Sequence, residues 1–367
     1  MNILILNWRD PKNPNSGGAE YVTLQHAKGW VKNGERVTWF TSMYSGALNE
    51  EVIEGIRVVR QGSSVSVFFY AMVYYFFHGK DIDVIVDEVH GIPFFAKFYA
   101  RIPIIVFVHE VASVIWDVMY PFPISWIGKM LERFYIWVYR AHYFWTDAPS
   151  TRNELISLGV SRDRCIAIPC PIGNTAIAKL PIKNTVPTFL FVGRVVRMKG
   201  VEDVLKAFTI LLSSLPTAVL WIVGDGDLRY IKVLQEKVKE MGIEKRVIWW
   251  GNVSEKKKLH LMAKSHVLLH ASVKEGWGLV VLEAASQGTP TVAYPSGALC
   301  DTIVDGQTGI LTVLSTPEDL AMRAFTLYND KITYSKMQKR GLFWSTSFTW
   351  NDAANQSLSL LHTAVEA

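Results

Sequence analysis

Two carboxylates, Glu275 and Glu283, flank a glycine-containing turn that leads into an apolar run over 279–285. Carboxylates only accept hydrogen bonds and therefore suit sugar or ribose hydroxyls. If the apolar run is a helix, the backbone amides of the turn lie at its N-terminus, where phosphate binds well. The spacing indicates a sugar-nucleotide site, although an ordinary loop-to-helix transition with two acids fits this stretch alone equally well.

A pair of cations, Arg194 and Lys199, lies in a loop between a predicted strand over 188–192 and a predicted helix over 201–212. Loops of this kind lie at the carboxyl edge of a parallel sheet, where such sheets bind ligands. Arginine offers a planar fork and lysine a point charge, a combination that suits a diphosphate. Solvated loop cations are the alternative interpretation, and the position at a strand end favours the functional one.

Glycines and a histidine at two other strand ends are weaker candidates. Gly17 and Gly18 close the loop after a predicted strand over 2–7, and glycine permits close approach of a ligand to the backbone. His109 directly follows a predicted strand over 104–108. A histidine satisfied by backbone groups explains His109 more simply, and from the residues alone we favour that interpretation.

Two Asp-x-Asp patterns raise the question of a metal site. Asp81 and Asp83 precede most of a predicted strand and are interpreted as a solvated loop. Asp225 and Asp227 follow a predicted strand over 218–223, which is the placement that a metal-binding motif requires. Their neighbouring glycines are also typical of a plain turn between strand and helix, which we favour. No metal site is predicted.

The elements that position these residues alternate between strand and helix along both halves of the chain. This is the pattern of parallel, doubly wound α/β sheets. At 367 residues the chain exceeds what one hydrophobic core usually organises, so we expect two domains. A proline-rich stretch over 171–187 breaks every periodicity and is predicted to be the linker between them.

Composition excludes several classes of protein. Half of the residues are apolar, which excludes a disordered chain. The formal net charge of +5 lies wholly in residues 173–367, an excess that fits an anionic ligand, and no nucleic-acid-binding pattern accompanies it. Three cysteines without zinc spacing predict buried thiols in a reducing, cytoplasmic compartment: Cys165, Cys170 and Cys300. The first residues lack the features of a signal peptide and are expected to form a buried strand.

An aromatic stretch over 122–143 carries Lys129, Arg133 and Arg140 and is predicted to be a long helix. Helices of this composition can lie on a membrane surface, whereas burial against the rest of the domain explains the same pattern. The longest apolar run, 65–77, is shorter than the roughly 20 residues that a spanning helix needs. No transmembrane segment is therefore predicted.

Taken in order, these motifs resemble those of the family-4 retaining glycosyltransferases of the GT-B fold. The matching features are G-G-A-E at 17–20, H-E at 109–110, G-R-x-x-x-x-K-G at 193–200, V-G-D-G-D-L at 223–228 and E-x7-E at 275–283. The resemblance covers nearly the whole chain and implies two Rossmann-like domains that face each other across a cleft. It implies an acceptor-side domain over 1–172, completed by a last helix at about 350–367, and a donor-side domain over 185–345.

The resemblance also implies a role for each matched residue. Arg194 and Lys199 would hold the donor diphosphate and stabilise the departing nucleotide. Glu275 would bind the sugar hydroxyls and Glu283 the ribose hydroxyls. His109 would lie near the reacting sugar. The other expected donor contacts come from Gly17, Gly18, Val253, Gly276, Trp277, Gly278, Leu279 and Val280.

We therefore expect a cytoplasmic enzyme, and contact of the helix over 122–143 with the inner face of the cell membrane is a further hypothesis beside burial of that helix. The enzyme would transfer a hexose from a nucleoside diphosphate sugar to an acceptor hydroxyl in building a surface or lipid-linked glycan. No separate cofactor is expected, and Arg194 and Lys199 would take the place of a metal ion. Two alternatives are a GT-B-fold sugar-nucleotide epimerase and a non-catalytic sugar-nucleotide-binding protein. The E-x7-E pattern with both cations argues against the first, and the complete set of charged residues argues against the second.

Retention of the anomeric configuration is implied by the resemblance and is compatible with the available residues. Inversion needs a general base, for which His109 and Glu110 are the candidates. Double displacement needs a carboxylate nucleophile, and Glu275 is already assigned to hydroxyl binding. The leaving phosphate is then expected to take the proton of the acceptor hydroxyl.

Overall fold

The computed structural model describes residues 1–173 and 176–367. The chain forms two compact units. The first consists of Met1–Ser113, Pro123–Cys170 and Thr349–Ala367. The second consists of Val114–Phe122 and Pro171–Phe348. The C-terminal helix therefore belongs to the same unit as the N-terminal part of the chain.

The first unit is built on an eight-stranded sheet with the strand order β3-β4-β2-β1-β5-β6-β7-β8. Neighbouring strands are parallel except β3, which is antiparallel to β4. The strands are β1 (Asn2–Leu6), β2 (Arg36–Thr41), β3 (Glu50–Ile53), β4 (Ile56–Arg60), β5 (Val84–Val89), β6 (Ile104–Val108), β7 (Tyr143–Thr146) and β8 (Cys165–Ala167). The helices are α1 (Gly18–Lys32), α2 (Val67–His78), α4 (Ile124–Tyr139), α5 (Pro149–Ser157) and α13 (Trp350–Glu366), and α3 (Ser113–Met119) belongs mostly to the second unit.

The central strands of this sheet are buried on both faces. Every residue of β5 and of β6 is buried, and both strands are rich in β-branched residues. Such runs are typical of parallel strands that are covered by helices on both sides. Asp87 and Glu88 interrupt the apolar run of β5 and are themselves buried, so each of them requires polar partners.

Helix α13 packs closely against α1. A Cβ atom at Gly29 would lie 2.2 Å from Cβ of Ala354, so only glycine fits this contact as it stands. Ser357 Oγ accepts a hydrogen bond from Trp30 Nε1 at 2.9 Å and lies 2.9 Å from His26 Nδ1. Burial lowers the pKa of His26 to about 3, so this ring is neutral at pH 7.

Helices α2, α4 and α5 cover the opposite face of the sheet. Right-handed crossovers that advance along a sheet in the same direction place their helices on one side, and α1 connects its strands in the reverse direction. Residues of the three helices share one hydrophobic core with the sheet, among them Ala71 of α2, Ile136 of α4 and Leu155 of α5. On this face the helices pack on the sheet's hydrophobic core, whereas α1 on the other face also packs against α13.

The second unit is built on a six-stranded parallel sheet with the order β11-β10-β9-β12-β13-β14. The strands are β9 (Thr188–Val192), β10 (Val219–Val223), β11 (Val247–Gly251), β12 (Val267–His270), β13 (Thr291–Ala293) and β14 (Gly309–Leu311). The helices are α6 (Val201–Ser214), α7 (Leu228–Glu240), α8 (Glu255–Lys264), α9 (Leu279–Ser286), α10 (Leu299–Thr302), α11 (Pro317–Asn329) and α12 (Lys331–Ser345).

The predicted α/β class with parallel sheets is confirmed, and some details differ. Two short strands, β3 and β14, are not among the predicted ones. The expectation of buried thiols holds for Cys165 and Cys170 and is wrong for Cys300, which is exposed. The predicted linker over 171–187 lies in the second unit, apart from residues 174 and 175, which lie outside the described residues.

Candidate active site

Lys199 and Glu275 form an ion pair at the carboxyl edge of the second unit's sheet. Lys199 follows β9 and Glu275 follows β12, which are neighbouring strands. Lys199 Nζ donates to Glu275 Oε1 at 2.5 Å. Ser272 Oγ donates to the same oxygen at 2.7 Å. The structure thus brings together the acid and one of the two cations that the sequence assigns to the donor.

Glycines allow the loops that carry this pair to pack tightly. Gly200 has a φ of +66°, and a Cβ atom there would lie 2.0 Å from the carbonyl oxygen of Ala271. Gly297 has a φ of +51°, and a Cβ atom there would lie 2.6 Å from the carbonyl oxygen of Glu275. Both positions need glycine, because the left-handed conformation and the close approach each disfavour a side chain.

The charge of the pair is set by its neighbours. Burial acts to raise the pKa of Glu275, but the charge of Lys199 and the contacts with His270 and Ser272 outweigh it and hold the pKa below its usual value. His270 Nε2 lies 3.5 Å from Glu275 Oε1, and burial lowers the pKa of His270 to about 4. At pH 7 the site therefore contains one carboxylate and one ammonium group beside a neutral imidazole.

Arg194 is exposed in the same loop as Lys199. Within residues 1–173 and 176–367, no ion pair is observed for its guanidinium group. The backbone around it is nevertheless fixed, because Val195 N donates to the carbonyl oxygen of Asp225 at 2.9 Å. A Cβ atom at Gly226 would lie 2.2 Å from the carbonyl oxygen of Val195. Arg194 thus presents a positive charge to solvent from a well-packed loop.

The two aspartates of the turn after β10 have local roles. Asp227 caps α7, since its side chain accepts from Arg229 N at 2.8 Å. Asp225 Oδ1 accepts from Gly226 N at 2.8 Å. These contacts agree with the interpretation of a plain turn between strand and helix.

Helix α9 begins at Leu279, directly after Gly278 in a left-handed conformation with a φ of +86°. Trp277 is buried, and its ring centroid lies 5.7 Å from that of Phe348 in an edge-on arrangement. Its carbonyl oxygen accepts a hydrogen bond from Thr302 Oγ1. The tryptophan therefore anchors the turn over 276–280, in which Gly276, Leu279 and Val280 are half-buried.

Glu283 is paired with a lysine that is not among the predicted site residues. Lys258 Nζ of α8 lies 2.8 Å from Glu283 Oε2 and 2.9 Å from Glu255 Oε2. Burial raises the pKa of Glu283 above its usual value, against the opposing charge of Lys258. Val253, the predicted contact of the base, is half-buried just before α8 begins. A ribose at Glu283 would therefore share this carboxylate with Lys258.

In the first unit, Gly17 and Gly18 lie at the start of α1. Gly17 is the N-cap and Gly18 is the first helical residue. Glu20 fixes this turn, because Gly17 N donates to Glu20 Oε2 at 2.6 Å. Arg9 Nε lies 2.9 Å from the other oxygen of Glu20. Glu20 itself is buried, so the glutamate of the G-G-A-E motif stabilises the turn at which α1 begins.

His109 lies between two buried carboxylates at the end of β6. Its Nδ1 lies 2.6 Å from Asp147 Oδ2, and its Nε2 lies 2.9 Å from Glu88 Oε1. Thr23 Oγ1 donates to Glu88 Oε1 at 2.9 Å, and Cys170 Sγ donates to Asp147 Oδ1 at 3.1 Å. The interpretation favoured from the residues alone, a histidine satisfied by backbone groups, is wrong because side-chain carboxylates occupy both ring nitrogens.

These carboxylates determine the protonation of the ring. Burial alone would lower the pKa of His109, but Asp147 and Glu88 outweigh it and raise the pKa to about 10. Burial likewise opposes ionisation of Glu88, and its contacts with His109 and His90 bring its pKa down to about 2. His109 is therefore an imidazolium at pH 7. A ring in this state cannot accept a proton, which leaves only Glu110 of the two candidate bases.

Glu88, His90 and His109 also form a group that could hold a metal ion, because one ligand atom of each lies within 4.8 Å of the others. Sets of two histidines and one glutamate bind zinc in proteins, and among the described residues no hydrogen bond reaches Glu88 Oε2. Coordination requires a neutral imidazole. The contact of Nδ1 with Asp147 is compatible with a metal ligand, since carboxylates commonly orient such histidines, but a metal ion would have to replace the 2.9 Å contact between His109 Nε2 and Glu88 Oε1.

Several residues that complete these sites are not among the predicted ones. They are Asp10, Arg60, Glu88, Asp147, Lys258, His270 and Ser272. Asp10, in the loop that leads to Gly17, forms a fully buried, bidentate ion pair with Arg60 at the end of β4, with N to O distances of 2.7 and 3.0 Å. A sequence signal exists for Glu88, since an acid within an apolar strand must find a buried partner.

The chain belongs to the family-4 glycosyltransferases of the GT-B fold, also described as glycosyl transferases group 1. Residues 16–173 match the family model Glycosyltransferase Family 4. Residues 174–342 match the family model Glycosyl transferases group 1. The two matches adjoin and together span residues 16–342, so the resemblance noted in the sequence is confirmed.

Curated relatives match the chain over part of its length. D-inositol 3-phosphate glycosyltransferase of Arthrobacter sp. (strain FB24) is 31% identical over 179 residues, which cover 48% of this chain and 42% of that protein. N-acetyl-alpha-D-glucosaminyl L-malate synthase of Bacillus anthracis is 34% identical over 147 residues, which cover 39% of this chain and 36% of that protein. The matches span less than half the length of these relatives.

Solved structures share the fold over almost the whole chain. Sucrose-phosphate synthase from Thermosynechococcus elongatus has a TM-score of 0.83 at 19% identity, covering 99% of this chain and 98% of that chain. Anabaena HepE in complex with UDP-glucose has a TM-score of 0.75 at 19% identity, covering 98% of this chain and 99% of that chain. At such identities the likeness concerns the fold.

Proposed function

We propose that this chain is a glycosyltransferase that moves a hexose from a nucleoside diphosphate sugar to an acceptor hydroxyl. We further propose that it retains the anomeric configuration, needs no metal ion and serves the assembly of a surface or lipid-linked glycan. The observation that carries the proposal is the Lys199–Glu275 pair beside the N-terminus of α9, with the exposed Arg194 in the same loop. Membership of the glycosyltransferase family supports the reaction class.

The donor would occupy the carboxyl edge of the second unit's sheet. Arg194 and Lys199 would bind the diphosphate, and Glu275 would accept hydrogen bonds from sugar hydroxyls. Glu283 would bind the ribose beside Lys258. As the bond between the anomeric carbon and the phosphate oxygen breaks, negative charge grows on the diphosphate, and prearranged cations stabilise it most at that stage. This arrangement provides the function that a metal ion serves in other transferases.

Retention is supported by the state of His109. An imidazolium with both N–H groups facing carboxylates does not deprotonate an acceptor hydroxyl. In the proposed reaction the acceptor oxygen forms its bond to the anomeric carbon on the face from which the diphosphate leaves. The departing phosphate oxygen takes the acceptor's proton. His109 would contribute a fixed positive charge and not a proton transfer.

Lysine variants test the donor assignment. Turnover of UDP, GDP and ADP hexoses would be compared for wild type, Lys199→Ala, Lys199→Arg and the control Lys206→Ala. Lys206 is an exposed lysine of α6 with only a surface ion pair to Asp203, so its loss should leave turnover unchanged. Losing one prearranged charge costs on the order of 10²–10³ in rate, and Lys199→Arg should recover part of it. Wild-type turnover by a folded Lys199→Ala protein would remove the assignment.

The product tests the stereochemistry and the reaction class. NMR of the anomeric proton should show an α-linked product from an α-linked donor. A β-linked product would overturn retention and make Glu110 the candidate base. Conversion of a UDP sugar to its epimer without any acceptor would instead establish the epimerase alternative.

A further inference from the structure

Helix α4 is apolar on its outward side as well as on the side that faces the core. Its buried residues include the core residues Tyr135, Ile136 and Tyr139, whereas the outward side chains are between 40% and 56% exposed: Trp126, Ile127, Met130, Phe134 and Trp137. Glu132 is used internally, where it accepts from Ala112 N and Tyr135 OH. A surface helix in water normally carries polar side chains on its outward face. The predicted alternative of burial against the domain is therefore wrong for these side chains.

Helix α2 has the same apolar outward side, although its sequence indicates only an apolar run too short to span a membrane. Phe76 and Phe77 are 82% and 74% exposed, and Phe69 is 59% exposed. No charged residue occurs between Val67 and His78. Among the described residues no helix is long and apolar enough to cross a bilayer.

The segment over 94–101 lies between the two helices and joins their surfaces. Tyr75 of α2 accepts a hydrogen bond from Arg101 N at 3.2 Å, and Tyr139 of α4 accepts one from Lys97 N at 3.4 Å. Phe98 of this segment is 66% exposed. The exposed aromatic side chains of α2, of this segment and of α4 therefore belong to elements that contact one another on one face of the sheet.

The charged residues of these stretches are mostly cations. Six lie within 65–80, 94–101 and 124–140: Lys80, Lys97, Arg101, Lys129, Arg133 and Arg140. The exposed Asp81 directly follows Lys80. Glu132 is the single acid in the same segments and is buried. The guanidinium of Arg140 lies 5.1 Å from the ring centroid of Trp137. Tryptophan and tyrosine prefer the interface between lipid and water, and cations are attracted to anionic headgroups.

We propose that α2, the segment over 94–101 and α4 together form a docking surface for an anionic lipid bilayer. The inference goes beyond the proposed sugar transfer and does not depend on it. Exposed aromatic side chains would enter the headgroup region while the surrounding cations contact lipid phosphates. A second protein copy fits less well, because two such surfaces would bring cations against cations.

Flotation of the full chain with phosphatidylcholine vesicles, with and without phosphatidylglycerol, tests the surface at low and high salt. Binding should require phosphatidylglycerol and weaken with salt. The variant Arg133→Gln with Arg140→Gln should lower partitioning about 25-fold, since each surface cation contributes about fivefold. Phe76→Ser with Phe77→Ser should lower it by at least about tenfold through lost apolar burial.

The matched control is Phe343→Ser with Lys339→Gln, which removes an exposed phenylalanine and an exposed lysine from α12 of the other unit. It should bind vesicles as wild type does. Thermal stabilisation by nucleotide sugars, measured on the same proteins, reports folding and the donor site separately from lipid binding. Failure of wild type to float with anionic vesicles would overturn the proposal. So would equal loss in the control, or a stable dimer that the surface variants abolish.

Discussion

Replacing His109 by glutamine should destabilise the first unit strongly near neutral pH. The imidazolium lies 2.6 Å from Asp147 and 2.9 Å from Glu88, and all three groups are buried. Removing the cation leaves two buried carboxylates without their charged partner, which costs about 3–5 kcal/mol in such pairs. For a unit of this size each kcal/mol lowers the melting temperature by about 2–4 °C, so we expect a decrease of about 6–20 °C.

The pH dependence of this loss follows from the proton held by the ring. The pKa of His109 is raised from 6.5 to about 10, so its contribution to stability is complete below pH 6.5 and is lost as the pH rises through 10. The pKa of Glu88 is lowered from 4.5 to about 2, so its contribution is complete above pH 4.5 and is lost as the pH falls toward 2. The difference in melting temperature between wild type and variant should therefore be largest between pH 4.5 and pH 6.5 and shrink toward pH 10.

Calorimetric melting in buffers with chelator would compare wild type, His109→Gln and the control His260→Gln, an exposed position of α8. Nitrogen NMR of the ring should show both nitrogens protonated at pH 7. A melting temperature within about 2 °C of wild type at pH 6 would refute the reasoning, as would a neutral ring at pH 7.

Three further predictions concern the metal, the ribose and the fold. Turnover should survive chelation with EDTA, whereas loss in EDTA and recovery with Mn²⁺ or Zn²⁺ would point to Asp225 and Asp227 or to Glu88, His90 and His109. Glu283→Gln should weaken binding of a ribonucleoside diphosphate more than that of its 2′,3′-dideoxy analogue in calorimetry, and equal loss for both would remove Glu283 from the ribose. Gly29→Val should destabilise the protein by about 1–3 kcal/mol more than Lys32→Val at the exposed end of α1. Equal melting temperatures of the two variants would show that α13 can move to make room for the larger side chain.

Strands and helices can be predicted from local sequence patterns, whereas contacts between side chains far apart in the chain cannot. Strands such as β6 and β12 are found because apolar runs mark them. The partners of His109 come from β5 and from the end of β7, and no spacing rule connects those positions. The outward face of α4 is a similar case, since aromatic periodicity defines a stripe and does not say whether it meets the sheet or the solvent.

The pairing of Lys199 with Glu275 bears on how the proposed donor site would act. A buried carboxylate is costly unless it is compensated, so before the donor binds each of these side chains stabilises the other in the position where it is needed. A diphosphate near Arg194 would compete with Glu275 for the ammonium group, and the sugar hydroxyls would then replace Lys199 as donors to Glu275. The diphosphate and the sugar of the donor substrate would therefore bind cooperatively.

UDP alone would leave Glu275 without the hydrogen bonds that the sugar hydroxyls donate. A complete UDP sugar should therefore raise the melting temperature more than UDP does in wild type, and this difference should be smaller in Glu275→Gln. An equal advantage of the sugar in both proteins would show that Glu275 does not bind its hydroxyls.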